Sequence, residues 1–434
     1  MNKKALRWLY EELPELVGGG IISADAERKI HEHYGEIEKS GGRSIALTVC
    51  GILGAVLIGA GIILILAHNW DDLSRPARTV LSLAPLIISQ IIGLWILQTG
   101  RESAAWREGT AAFLALSIGS SIALVGQTYH IPGDFGNFML TWMLLALPVT
   151  YLLGATIPCI IYFAGITTWA GYQQSQDGYA VFFWPLLALT FPYMWMEARK
   201  DCYSQRSVIL GWMFSICLCV GTGVAMEHTC PGLWIIVYSA LFPLLYLIGS
   251  QWFADAPSAM QKPFHSVGVI GTVVLSFLFT FEFPWKEIGF YNYHCIDRYH
   301  EYAGWVDYGL AVILPFCALL LLAMAIRKGD KSKLLFGVLP VLAILGFATS
   351  ADAAMALFNV YLFVIGIRTL VVGIRNGRIW TVNAGMLILT ALIIARFFDN
   401  DIGFVVRGIA FILIGAGFLI TNVILIKRGK RGVQ

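Results

Sequence analysis

Residues 45–67 read IALTVCGILGAVLIGAGIILILA, an apolar run of 23 residues without a charge. A hydrocarbon core about 30 Å thick takes about 20 helical residues to cross, so this run is long enough for one span. It is continuously apolar rather than alternating, which selects a helix over a barrel strand. Working outward, thirteen further apolar stretches follow, at about 77–97, 109–128, 138–153, 155–172, 180–197, 206–226, 232–250, 264–283, 305–326, 334–350, 353–374, 379–397 and 403–426. The whole chain of 434 residues is 58% hydrophobic and only 13% charged, with a mean hydropathy of +0.72. Soluble domains run at about 45–50% and about 25%. This composition excludes a soluble enzyme, a disordered chain and a nucleic-acid binder, and a formal net charge of +3 is too small to draw a polyanion. The expected fold class is all-α: a polytopic transmembrane helical bundle of about 14 spans.

Orientation follows from Lys and Arg. With the N-terminus inside, the cytoplasmic segments hold 23 of the 30 basic residues and the outward ones 6, Arg368 lying within a span. Both termini are therefore expected in the cytoplasm. The same asymmetry supports two tight hairpins, at Gly154 and near Ala351-Asp352, because merging either pair alone would reverse the later basic loops. No cleavable signal peptide is expected, as the first apolar run follows about 44 mostly polar residues.

Three segments are expected. Residues 1–44 form a small cytoplasmic helical hairpin, with helices at about 3–13 and 24–39 broken by Pro14 and Gly18-Gly19-Gly20. Ser23 is the expected cap of the second helix, with Asp25 and Glu27 in its first turn. Residues 45–426 form the transmembrane domain, and 427–434 a basic tail.

The outward ends hold the densest polar clusters. His68-Asn69-Trp70-Asp71-Asp72 follows the first span. Gly126-Gln127-Thr128-Tyr129-His130 and Gly133-Asp134 follow the third. Arg396, Asp399, Asp401 and Arg407 sit where the last two spans meet. Polar groups at membrane depth are costly and face a partner or a water-filled cavity. The candidate polar gate is thus His68, Asn69, Trp70, Asp71, Gln127, Tyr129, His130, Asp134, Arg396, Asp399 and Arg407. The imidazoles and carboxylates suit a transition metal by type, but their spacing matches no ligand signature. No metal is assigned, and the cluster reads first as a network that caps helix ends and lines a vestibule.

The succession of a polar hairpin, a Gly-rich span, AHNWDDLSRPAR at 67–78 and GQTYHIPGD at 126–134 resembles a family of bacterial predicted membrane proteins known as domain of unknown function 2157. The resemblance rests on Ala67, Asn69, Trp70, Asp71, Gly126, Gln127, Tyr129, Gly133 and Asp134. The ending ARFFDNDIGFVVRGIAFILIGAGFLI at 395–420 is similar to the C-terminal end of such proteins. It implies a bacterial inner-membrane protein and supplies no activity.

Other features weigh less. Cys230 and Cys295 both fall in outward loops, where an oxidising periplasm would allow them to pair. Gly51, Ala55 and Gly59 form a small-residue face suited to close helix packing. The aromatic-rich segment 284–304 reads as an interfacial belt or a lid. There is no phosphate loop, nucleophile elbow or dinucleotide fingerprint, so no cofactor is expected and the reading leans away from an enzyme. The leading expectation is a transporter-like or permease-like protein with an outward polar vestibule. Membrane lipids, and a small-molecule or lipid-linked substrate, are the expected partners. Two alternatives stand beside it: a sensor or scaffold docking a cytoplasmic protein through residues 1–44, and a membrane-embedded transferase acting on a lipid-linked substrate.

Overall fold

The computed structural model describes residues 3–34, 70, 72–100, 103–176, 178–226, 232–253, 256, 258–286 and 301–397, with 405, 408, 409, 412 and 415 besides. It divides into two compact units, residues 1–78 and 79–434.

In the first unit, α1 (Lys3–Gly18) and α2 (Ala24–Tyr34) pack as a hairpin. The Ser23 hydroxyl accepts from the Ala26 amide at 3.2 Å, with Asp25 and Glu27 in the first turn, as expected. The expected break at Pro14 is corrected: α1 runs on to Gly18. A proline removes one backbone donor, but the helix resumes beyond it and ends on the bonds of Gly19 to Glu15 and Ile21 to Leu16. Gly20, at φ +71°, is the turn that reverses the chain.

The second unit is a helical membrane bundle. Its helices are α3 (Arg75–Thr99, which opens in the first unit), α4 (Ala104–Tyr129), α5 (Phe135–Leu153), α6 (Thr156–Ser175), α7 (Phe183–Ala188), α8 (Phe191–Lys200), α9 (Gln205–Ala225), α10 (Leu233–Trp252), α11 (Pro263–Leu278), α12 (Glu301–Arg327), α13 (Leu334–Gly337), α14 (Leu339–Phe347), α15 (Ala351–Arg375) and α16 (Ile379–Phe397). Among the described residues there are no strands, and eight helices are long and apolar enough to cross a membrane. Stretch 45–67 and most of 403–426 lie outside the described residues. Of the other expected spans, 155–172 forms α6, a long helix that is not among these eight, α11 is short, and 180–197 and 334–350 are each divided between two helices.

Successive helices of the second unit alternate in direction, with α7–α8 and α13–α14 each running on as one stretch, and side chains record which ends meet. At one end Arg206 reaches Gly154, the Trp212 indole donates to the Met260 carbonyl at 2.8 Å, and the rings of Tyr246 and Phe336 lie 5.2 Å apart. This end carries Arg199, Lys200, Arg206, Lys262, Lys331, Lys333, Arg375 and Arg378, and is called the basic end below. At the opposite end Trp234 meets Phe279 and Arg396 meets Thr280. Both expected hairpins are present: Gly154 closes α5 at φ +57°, and the Ser350 hydroxyl caps α15 at the Ala353 amide.

Helix α10 is the most buried span, and α3, α12 and α16 are among the least. Outward side chains such as Val312, Phe316 and Leu320 form an apolar stripe at helical spacing, as a lipid-facing surface requires. Where α10 meets α11 the backbones approach closely. A β-carbon on Gly249 would lie 2.2 Å from the His265 amide nitrogen, and one on Gly268 2.4 Å from that of Tyr246. Small residues permit this approach, and dispersion rather than hydrophobic exclusion holds helices together in lipid.

Candidate functional site

The motif at 126–137 builds the connection between α4 and α5. Helix α4 ends at Tyr129, and His130 follows in the left-handed region at φ +51°. The Ile131 amide donates to the Gly126 carbonyl at 3.0 Å and the His130 amide to Gln127 at 3.4 Å. This is a Schellman closure with histidine where glycine is usual. An L-residue in that region costs roughly 1–2 kcal/mol, and His is among the residues that tolerate it. Four residues on from His130, Asp134 caps α5: its carboxylate accepts from the Asn137 amide and from Asn137 Nδ2, each at 2.7 Å. Next to the cap, Gly136 leaves room for Asp134, Tyr172 and Gln173, and Phe135 packs edge-on against Tyr172 at 5.2 Å. The Tyr129 hydroxyl meets Thr79 Oγ1 at 2.9 Å, tying the end of α4 to the start of α3. Gln127, His130 and Asp134 are exposed.

Arg396 works elsewhere. Its guanidinium donates to the Thr280 carbonyl at 2.9 Å, just past the end of α11, and lies 5.3 Å over the Phe281 ring. A cation there complements the negative end of the helix dipole. None of the described bonds of Tyr129, His130 or Asp134 reaches Arg396. His68, Asn69, Asp71, Asp399, Arg407, Cys230 and Cys295 lie outside the described residues. Trp70 sits in a turn, its indole nitrogen buried without a hydrogen-bond partner among the described residues. Also among the described residues, no three His, Cys, Asp or Glu gather as a metal site would require.

Two arrangements carry no contiguous motif. The first is a polar knot at the basic end. Glu108 of α4 accepts from the Thr156 amide at 2.8 and 2.9 Å and from the Ile157 amide at 2.9 Å, so a largely buried carboxylate caps α6. Arg206 of α9 lies 3.4 Å from that carboxylate and also reaches the Gly154 carbonyl. One ion pair thereby joins α4, the α5–α6 turn and α9. Glu108 and Arg206 are 98 positions apart, so no local pattern signals the pair.

The second arrangement is a pair of interrupted helical stretches, each crossing from one end of the bundle to the other. Residues 180–200 run to the basic end as a short 3-10 turn, α7 and α8, with a break at Leu189-Thr190 and Pro192 in the first turn of α8. Residues 331–347 run the other way as a 3-10 turn, α13 and α14, with a break at Val338 and Pro340 in the first turn of α14. A proline cannot donate to the carbonyl of the preceding turn, and lipid supplies no substitute donor. Neighbouring tyrosines donate to carbonyls around the breaks. Tyr162 donates to Leu186 at 2.8 Å and Tyr151 to Leu189 beside the first break, and Tyr361 donates to Leu335 at 2.7 Å beside the second.

Residues 14–159 match the model of a family described as "Predicted membrane protein (DUF2157)", a family of unknown function, over the segment that holds the 67–78 and 126–134 motifs. No curated protein and no solved structure matches the chain.

Proposed function

We propose that this integral membrane protein is a transporter-like permease whose moving parts are the two interrupted crossings. The observation that supports this most is their arrangement: two proline-interrupted stretches, one in each half of the chain, crossing in opposite senses. Discontinuous helices of this kind mark the substrate region in many secondary transporters. Broken backbone at membrane depth is tolerated where protein buries it or where it lines a water-filled cavity. The concentration of Lys and Arg at one end supports placing that end, and both termini, in the cytoplasm of a bacterial inner membrane. The Tyr129–Asp134 turn and Arg396 then lie on the outward rim as the polar gate. The test is flux through purified protein in liposomes, across ions, small solutes and lipids. The expected result is transport of one class, slowed in both Tyr162→Phe and Tyr361→Phe. Absence of flux for every class would count against the reading.

A second reading is favoured by one observation. The turn of the hairpin α1–α2 holds Ile21 largely exposed, with the charged side chains Asp25, Arg28 and Lys29 exposed on α2. That suits a cytoplasmic protein partner docking on residues 1–44. Deleting residues 1–40 should abolish capture of such a partner while leaving flux intact; loss of flux with capture retained would refute this division of roles.

A further inference from the structure

Beside the first interrupted crossing lies a cavity of ≈ 610 Å³, bounded by α7 to α12. That is within the range of small-molecule sites, about 300–1,000 Å³. Its floor is core, formed by Leu210, Leu241 and Phe253, all buried. Its flank is open, since Phe191 and Trp195 are each about half exposed. Along α9 it extends from Ser207 to Leu218, and at 1.5 Å per residue that is ~16 Å. Along α10 it extends from Phe253 back to Leu241, ~18 Å. Both lengths match one leaflet, about half of a 30 Å hydrocarbon core.

The charge is as one-sided as the shape. Among the described residues no acidic side chain lines the cavity, and Arg199, at the basic end of α8, is the one cation that does. The Arg199 guanidinium lies 4.8 Å over the Trp195 ring, which holds it at the mouth. Lys200, next along, is engaged by the buried Glu197. A space with so few polar groups offers a water too few partners. Left empty, it would forfeit the contacts of its lining.

We infer that this cavity takes one acyl chain of an anionic glycerophospholipid from the leaflet at the basic end, with the lipid phosphate on Arg199. A planar guanidinium suits a phosphate, because it can donate two parallel hydrogen bonds. The site stands whether or not the protein transports anything.

The test uses the full chain in phosphatidylcholine vesicles containing phosphatidylglycerol with a photoreactive acyl tail. After irradiation, adducts are expected on peptides covering residues 184–199 and 210–218. Unlabelled phosphatidylglycerol should compete them away and phosphatidylcholine should not. Arg199→Gln should weaken that competition about fivefold, the worth of one cation near a membrane surface, and Arg199→Lys should keep most of it. Leu244→Trp should fill the cavity and remove the adducts. Because Arg199 is exposed, its two variants keep the test decisive if Leu244→Trp fails to fold. Adducts no denser there than around Val312 and Phe316 on α12, or equal competition by the two lipids, would overturn the inference.

Discussion

The two interrupted crossings share a backbone solution and differ in what surrounds it. Both break beside a proline and both use tyrosine hydroxyls as replacement donors. The second is sealed. At the break Val338 and Leu339 pack in one buried cluster with Phe279, Trp285 and Phe358, and toward the far end of α14 Trp285 sits against Gly346, stacks on Phe358 at 5.6 Å and donates its indole N–H to the Phe279 carbonyl. The first is open. Trp184 of α7 borders the cavity, and its nitrogen is buried without a hydrogen-bond partner among the described residues. A broken helix therefore does not by itself produce a cavity. The void depends on whether aromatic side chains fill the space beside the break.

That contrast can be broken most strongly at the two tryptophans. Trp285→Ala should cost about 3–5 kcal/mol, as removal of a fully packed aromatic does. Trp184→Ala should cost less than half as much, because one side of its ring already faces a void. Thermal unfolding of both variants in nanodiscs checks this, and equal losses would erase the distinction between sealed and open. Next in size is Glu108→Ala, which leaves the α6 amides and Arg206 without their carboxylate. It should cost about 2–3 kcal/mol. Losing Tyr162 or Tyr361 as a donor should cost about 0.6–2 kcal/mol each by the same assay, as interhelical hydrogen bonds in membranes do. If only Tyr361→Phe destabilises, the first break draws its donor from elsewhere.

The smallest effect is expected at the basic-end loop before α13. The Ser332 hydroxyl, and then Lys333, hold the Asp330 carboxyl below its usual range. A depressed pKa means its contribution is present above the unfolded carboxylate range and is lost as pH falls through the folded value. Asp330 is exposed, although Lys333 is mostly covered, so Asp330→Asn should change stability by less than about 0.5 kcal/mol. That difference should vanish in acid, which a pair of melting curves at neutral and low pH would show.

The helices were legible because a bilayer demands long apolar runs, and the hairpins at Gly154 and Ala351 because basic residues alternate between sides. The breaks were not legible. Pro85, Pro148, Pro243 and Pro315 also lie in apolar runs, and each is carried inside a continuous helix. Pro192 and Pro340 instead follow breaks, and the tyrosines that serve the nearby carbonyls are 26 or more positions away in two of the three bonds. The 126–134 motif was visible as a cluster of polar residues. Its local work as a helix stop and a helix start shows only in the His130 dihedral and the Asp134 bonds. Pro14 misled in the other direction, since a helix can continue past one missing donor.

The central claim is that, as the moving parts of a permease, both breaks must reach water in some state of the transport cycle, although here the first borders an apolar cavity and the second is sealed. The most direct measurement is reactivity of single cysteines toward a membrane-impermeant thiol reagent in sealed vesicles, with the eight native cysteines replaced. Leu189→Cys and Val338→Cys should both react, while Leu320→Cys, on the lipid-facing stripe of α12, should stay silent. If positions 189 and 338 are as silent as 320, the breaks are packed structural features and the claim is contradicted.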